Sequence, residues 1–481
     1  WDLAASSGRA PFCDYQLMTG VQELFIWTGI VEKSLDQLPL LNPEATASLA
    51  SQSYQQLRLW LLDETGAGIA WSGTTQAQSL VSFSSAADTA AFADWLAAYK
   101  SYCEKHRLIS LVDCTGLLCA ALMSNKLPGL PREVVLVNFH QTPPLYQRLF
   151  DLLAASSDVK ALQINSDYSS ASKSQRVFPD RQSETLACAT WAKRLGSRNK
   201  GCHIGIICTQ DSIQRAEFER LFNEVMAAES LLSFWQVETH LNTGSSQRPL
   251  LDGALIHDAF LLLSLGNEQQ DSNDLCRLLQ SSYIDPLSGE AEARLQMELR
   301  MRRLFNTTCT ASDFSWQLNY KNSPNYCPQL AAAVLGIRTR LRLHPKLASA
   351  NAWSEFFRQL LGSFDWPGTS LTPLEQALLD QWQLALQQFA DSGAALGKLS
   401  FNTALNRLKF ICRQLQQKQA SDPASPFTLC SATEAIGLRF DHVWILEFDD
   451  QKWPQPASPS PFIPYSWQQG AAIPGSSSDI Q

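Results

Sequence analysis

Short apolar segments separated by long stretches of helical periodicity constrain the fold of this chain more than any other feature. Glu133–Phe139 and His203–Cys208 are apolar runs of strand length, each followed by a segment of helical pattern. Within Pro426–Trp467 we predict a buried strand, a polar turn around Gly437 and a second buried strand, His442–Phe448. Strands that alternate with helices are typical of α/β folds, in which ligands bind beyond the carboxyl ends of the strands.

A helical block interrupts this series of strands. From about Asp285 to Lys418 the pattern is almost wholly helical, and the strand around Val443 follows only afterwards. The predicted helices of the block are Ala291–Leu304, Gln329–Leu341, Ala352–Phe364, Leu374–Phe389 and Thr403–Gln416. The aromatic stripe of Trp353, Phe356 and Phe357 has helical spacing, which predicts a core-facing surface.

Length and composition describe a globular, multidomain chain. Its 481 residues suggest roughly three domains. We find no apolar run of the roughly 20 residues that a membrane span needs and no secretory leader. The 12 cysteines lack the paired spacing of a zinc site, so we expect buried thiols and a reducing, cytoplasmic compartment. We interpret the chain as an internal fragment of a longer protein.

Basic residues are clustered although the formal net charge is −8. The region from Ala291 to Lys346 contains the candidate DNA-contact residues Arg300, Arg302, Arg303, Arg338, Arg340 and Arg342. A second cluster at helical spacing comprises Arg407, Lys409, Arg413 and Lys418. Such clusters are typical of solvated helix faces and of grooves that follow a phosphate backbone, and the sequence leaves both readings open.

Several kinds of catalytic chemistry have no matching motif. No G-x-x-x-x-G-K-[ST] phosphate loop occurs in the chain, and no carboxylate pair ends the strand at Val137. Glu447, Asp449 and Asp450, near the last predicted strand, have the composition of a metal cluster, but no His or Cys ligand lies among them. We therefore predict no catalytic residue, no bound metal and no cofactor in these 481 residues.

The segment Ser431–Phe440 (SATEAIGLRF) resembles the T-x-H-x-x-K-G-L-E-F segment of superfamily 1 helicases of the UvrD/RecB type. The sequence that follows resembles the AddB branch of bacterial helicase–nucleases, described as probable DNA repair proteins. The matching residues are Gly437, Leu438, Phe440, Asp441, Val443, Trp453, Pro454, Pro461, Phe462, Ile463 and Pro464. We expect these signature residues to be structural.

The resemblance implies an α/β fold with RecA-like helicase-type domains, of P-loop NTPase-like topology, and large helical insertions. The predicted domains are a mostly helical region with the end of a first RecA-like domain (1–165), a second RecA-like domain (175–285 with 427–481) and a helical insertion (286–426). Ser431, Thr433 and Ile436 stand where a working motor has Thr, His and Lys, and Thr209 replaces an Arg. These departures favour a helicase fold that does not hydrolyse ATP.

Three functions therefore stay open. The favoured one is a catalytically silent, DNA-binding scaffold of a DNA-repair and recombination helicase–nuclease, whose PD-(D/E)XK exonuclease would lie beyond Gln481. Single-stranded DNA or a duplex end would be its ligand, with Thr433 and Trp453 as further contact residues, and an AddA-like helicase subunit its partner. The alternatives are part of an active ATP-dependent helicase, and a protein-interaction scaffold without DNA binding.

Overall fold

The chain folds as a mixed α/β protein, mainly helical with small sheets. This computed structural model describes residues 14–35, 42–62, 87–124, 127, 130–137, 139, 142–162, 172–198, 201–208, 212–226, 241–243, 248–284, 288–304, 308–321, 323–417, 425–450, 452–453 and 456–477. Backbone contacts divide the chain into two compact units. The first comprises Trp1–Glu184, Ala435–Arg439 and Ile445–Gln481, and the second comprises Thr185–Glu434 and Phe440–Trp444.

The first unit begins as a helical assembly and continues with a strand–helix–strand element. Its elements are β1 (Gln16–Leu17), α1 (Gly20–Lys33), α2 (Pro43–Leu59), α3 (Ala87–His106), β2 (Leu108–Ile109), α4 (Leu111–Met123), β3 (Glu133–Val137), α5 (Pro144–Ala154) and β4 (Asp158–Leu162). Thr19 and Gln22 form a capping box that starts α1. The aromatic core centres on Trp27, whose ring stacks on that of Tyr99 at a centroid distance of 4.4 Å.

Strands β3 and β4 pair in parallel, with Glu133 opposite Asp158 and Val137 opposite Leu162. The predicted order of a strand followed by a helix is confirmed here. One face of the pair is open, since Val135 is 44% exposed and Leu162 is 55% exposed.

The second unit is built on a four-stranded sheet, and helices separate its strands in the sequence. α6 (Arg181–Arg198) leads from the first unit into β5 (Ile204–Ile207), α7 (Ser212–Met226) and β6 (Leu241–Thr243). β11 (Phe427–Cys430) pairs in parallel with both β5 and β6. β12 (His442–Ile445) lies at the edge beside β5, so the strand order is β12-β5-β11-β6.

A helical block lies between β6 and β11 in the sequence. It contains the 3-10 turns Leu250–Asp252 and Ser288–Glu290 and the elements α8 (Ala254–Ser264), β7 (Gln269–Asp271), α9 (Ser272–Leu279), α10 (Ala291–Leu304), β8 (Thr308–Thr310), α11 (Ala311–Leu318), α12 (Pro328–Leu343), β9 (Ala348–Ser349), α13 (Ala350–Gly362), α14 (Pro373–Asp391), α15 (Gly393–Leu396), β10 (Lys398–Leu399) and α16 (Phe401–Gln414). The predicted helices are confirmed with small shifts of their ends, and α11 was not predicted. Trp353 and Phe357 are 1% and 0% exposed, which confirms the predicted core stripe.

The contacts group the chain differently from the three predicted domains. Phe260 of α8 packs edge-on against Trp382 of α14, with ring centroids 5.3 Å apart, so α8 shares a core with the predicted insertion. The C-terminal segment with α17 (Tyr465–Gly470) falls in the first unit. The boundaries of the three predicted domains come from the family resemblance, and they stay a prediction.

The prediction of a second buried strand at His442–Phe448 is wrong in length and in burial. β12 ends at Ile445, and Val443 and Ile445 are 45% and 42% exposed. An edge strand has a partner on one side only, so its apolar side chains need not be enclosed. By contrast, β11 is buried as predicted, with Leu429 0% exposed.

Among the described residues, no helix combines the length and the apolar character needed to cross a membrane. The side chains of Cys208 and Cys412 are buried, as expected.

Candidate nucleic-acid interface

The basic end of α12 is the strongest candidate surface. Arg340 and Arg342 lie in the last turn of α12, both exposed, and Arg338 is half-buried one turn earlier. The partial negative charge at a helix C-terminus favours cations, so the position alone does not require a ligand. The partners of these side chains decide how much positive charge they present.

Those partners are neutral oxygens. Arg338 Nη1 donates to the Ser312 hydroxyl. Arg340 Nη1 donates to the backbone oxygen of Gln359 at 3.1 Å. Among the described residues from 288 to 363, the ion pairs join Arg302 to Glu298 and Arg358 to Glu355. Within the described part of this region, no carboxylate forms an ion pair with the arginines at the end of α12.

An open hollow lies beside this basic helix end. Its volume is about 640 Å³ and its lining consists of Arg340, Leu343, His344, Pro345, Phe356, Gln359, Gly362 and Ser363. The His344 ring packs against Trp353 and Phe356, with centroid distances of 4.3 Å and 4.4 Å. A guanidinium beside a flat ring is a combination that can hold a phosphate and an adjoining base.

The other predicted arginines are differently placed. Arg302 of α10 pairs with the buried carboxylate of Glu298, and Arg300 Nη1 donates to Asn325 Oδ1 at 3.3 Å. Arg303 is exposed. In the described part of the block, no hydrogen bond or ion pair joins this group to the α12 arginines, so the structure does not assemble the six into one cluster.

The second basic cluster is not a solvent-facing row. Arg407 is 9% exposed, and Lys409 Nζ lies 5.6 Å from the centre of the Phe260 ring. Burial lowers the pKa of Lys409, with a further contribution from the neighbouring charge of Arg413. Lys418 lies outside the described residues.

Thr433 lies in the turn that follows β11. The Ser431 N–H donates to Glu434 Oε2 at 2.8 Å, and the Glu434 N–H donates to the Ser431 hydroxyl at 3.2 Å. Arg215, 4% exposed, donates to the Leu429 carbonyl and lies 3.6 Å from Glu434. The turn is therefore held by its own polar groups, and Thr433 is exposed with its hydroxyl 3.1 Å from that of Ser431.

The signature residues that follow this turn have structural contacts. Gly437 has φ +85, a conformation that glycine adopts without strain. The ring of Phe440 lies over Gly205 of β5, where an added Cβ would meet it at 2.6 Å. Asp441 Oδ2 accepts the His203 N–H at 2.8 Å. Leu438 is the exception, at 51% exposure.

The Pro461–Pro464 segment is anchored by its two central residues. Phe462 and Ile463 are 6% and 2% exposed, and the Phe462 ring stacks on Phe92 of α3 at 5.4 Å. The Ser460 hydroxyl lies 2.7 Å from that of Ser53 in α2. Pro461 is exposed and Pro464 half-buried; Pro454 lies outside the described residues.

Trp453 is packed rather than presented to solvent. It is half-buried, its ring lies 5.8 Å from that of Phe448, and its backbone N–H donates to the Asp449 carbonyl at 2.8 Å. The carboxylate of Glu447 pairs with Arg181 at 2.6 Å and with Lys452. Glu447, the first of the three acidic residues in this segment, is thus paired with two basic side chains.

Sequence reasoning missed an exposed aromatic pair on the helical block. Trp316 of α11 and Tyr320 just beyond it are 63% and 54% exposed, with ring centroids 6.0 Å apart. A signal was present, because Thr310 and Asp313 form an N-cap ahead of the apolar pair Phe314 and Leu318.

No family model matches this sequence, and no curated protein matches it significantly.

Proposed function

We propose that this chain is a catalytically silent, helicase-like, DNA-binding scaffold from a bacterial helicase–nuclease of the AddB type. The observation that carries the proposal is a helical block inserted in the sequence between two strands of a small β-sheet. β6 and β11 frame that block, and the turn that resembles the helicase segment follows β11 directly. RecA-like topology, a cytoplasmic location and an AddA-like partner belong to the same proposal.

The local charge supports DNA as the ligand. Between Thr308 and Leu347 the sequence has five basic residues, Lys321, Arg338, Arg340, Arg342 and Lys346, and a single acidic residue, Asp313. The whole chain has a formal net charge of −8. A polyanion would therefore bind where positive charge is locally in excess, as it is in this stretch.

The test is a binding titration of the whole chain with labelled single-stranded and duplex DNA. We expect the triple variant Arg338→Ala, Arg340→Ala, Arg342→Ala to bind at least about tenfold more weakly than the wild type, because each lost cation weakens phosphate contacts regardless of sequence. The matched control removes Arg220, Arg248 and Arg358, whose charges are paired with carboxylates. Equal affinities of the triple variant and the wild type would contradict the proposed surface.

A further inference from the structure

The exposed aromatic pair, Trp316 in α11 and Tyr320 just beyond it, lies outside the buried core of the helical block. Phe314 and Leu318, both 0% exposed, supply the core-facing side of α11. Trp316 and Tyr320 point away from that side, 63% and 54% exposed, with ring planes inclined at 55°. Two large rings in solvent are a feature of binding surfaces rather than of core packing.

The pair adjoins the basic surface of α12. Ser312 and Trp316 are four residues apart on α11 and therefore share a helix face, about 5–6 Å apart at their Cβ atoms. Arg338 donates to the hydroxyl of that same Ser312, and Lys321 follows Tyr320 directly. Aromatic rings and cations are thus neighbours on this part of the block.

The charge of this surface indicates which kind of ligand it would bind. A protein partner could cover two exposed rings, but the five basic residues and single acidic residue between Thr308 and Leu347 favour a polyanion. Duplex DNA offers phosphates while its bases are stacked inside. A single strand offers phosphates and free base faces together, so it uses both the cations and the rings.

We propose that Trp316 and Tyr320 form a stacking platform for the bases of single-stranded DNA, beside the phosphate-binding arginines of α12. This proposal rests on the proposed function, since it assumes that the chain binds DNA. It adds that the helical block distinguishes single strands from duplex.

The experiment measures the affinity of the whole chain for a fluorescein-labelled oligothymidylate and for a duplex of the same length, at one low salt concentration. We expect Trp316→Ala to weaken single-strand binding about five- to 150-fold, the range for one stacked base, and to leave duplex binding unchanged. Trp316→Phe keeps a ring and should retain most of the affinity. Tyr465→Ala, which removes a 50% exposed ring elsewhere, should change neither affinity.

Each other outcome has a distinct meaning. Unchanged single-strand binding by Trp316→Ala would overturn the platform while leaving the proposed function standing. An equal loss of single-strand and duplex binding, with an unchanged melting temperature, would also overturn it, because stacking would not then be the interaction lost. Failure of the wild type to bind either probe would refute the proposed function, and the platform with it.

Discussion

At the scale of single residues, Glu23 is an ionisable group buried in the first unit. It is 5% exposed within α1, and its Oε1 accepts the hydroxyl of Tyr99 at 3.0 Å. Burial raises the pKa of Glu23 from 4.5 to about 7, and the nearby charge of Asp113 adds to the shift. Between about pH 4.5 and pH 7, the folded protein therefore holds a proton at Glu23 that the unfolded chain releases.

This proton predicts how stability depends on pH. Because the pKa of Glu23 is higher in the folded state, its contribution to the free energy of unfolding should fall as the pH rises from about 4.5 to about 7. The full effect is about 3 kcal/mol, since one pKa unit corresponds to about 1.4 kcal/mol. Glu23→Gln should remove this component. The check is the urea midpoint of both proteins at the two ends of that pH range, and equal pH dependence would contradict the assignment.

At the scale of elements, the Pro461–Pro464 segment packs against a helix that is far from it in sequence. Phe462 stacks on Phe92 and meets Trp95 edge-on at 5.7 Å, both in α3. Gln468, 1% exposed, donates to the carbonyls of Ser460 and Ile463 and fixes the shape of the segment. The segment is therefore part of the core of the first unit.

We expect Phe462→Ala to destabilise the protein by about 3–5 kcal/mol, the usual result of truncating a buried aromatic side chain. Tyr465→Ala, three residues later and 50% exposed, is the matched control and should stay within about 0.5 kcal/mol of the wild type. Thermal unfolding of the three proteins measures the difference. Equal destabilisation by both substitutions would show that the packing of Phe462 is not the cause.

The elements also show what the sequence could and could not reveal. Apolar runs located β3, β5 and β11, and helical spacing located the helices around Trp353, because side-chain periodicity follows backbone geometry. The same pattern failed for Val443 and Ile445, since an apolar side chain does not show whether a neighbour covers it. It also gave no destination for Phe462, whose partner lies some 370 positions away in α3. The exposed ring of Trp316 was missed because α11 is only 8 residues long.

At the scale of the whole molecule, the proposed DNA binding depends on one arrangement of the chain. A small sheet holds the turn that resembles a helicase segment, and the block inserted between β6 and β11 carries the basic and aromatic surface. The turn at Ser431 is closed by its own hydrogen bonds and by Arg215. On this account the second unit binds DNA by charge and stacking, without turnover of a nucleotide.

The salt dependence of single-stranded DNA binding tests this account most directly. Plotted as log affinity against log salt concentration from about 50 to 200 mM, wild-type binding should weaken steeply as counterions are released. The Arg338→Ala, Arg340→Ala, Arg342→Ala variant should show a slope smaller by about 2, since each phosphate contact in single-strand binding contributes about 0.7. A wild-type slope near zero, or the same slope in both proteins, would contradict it.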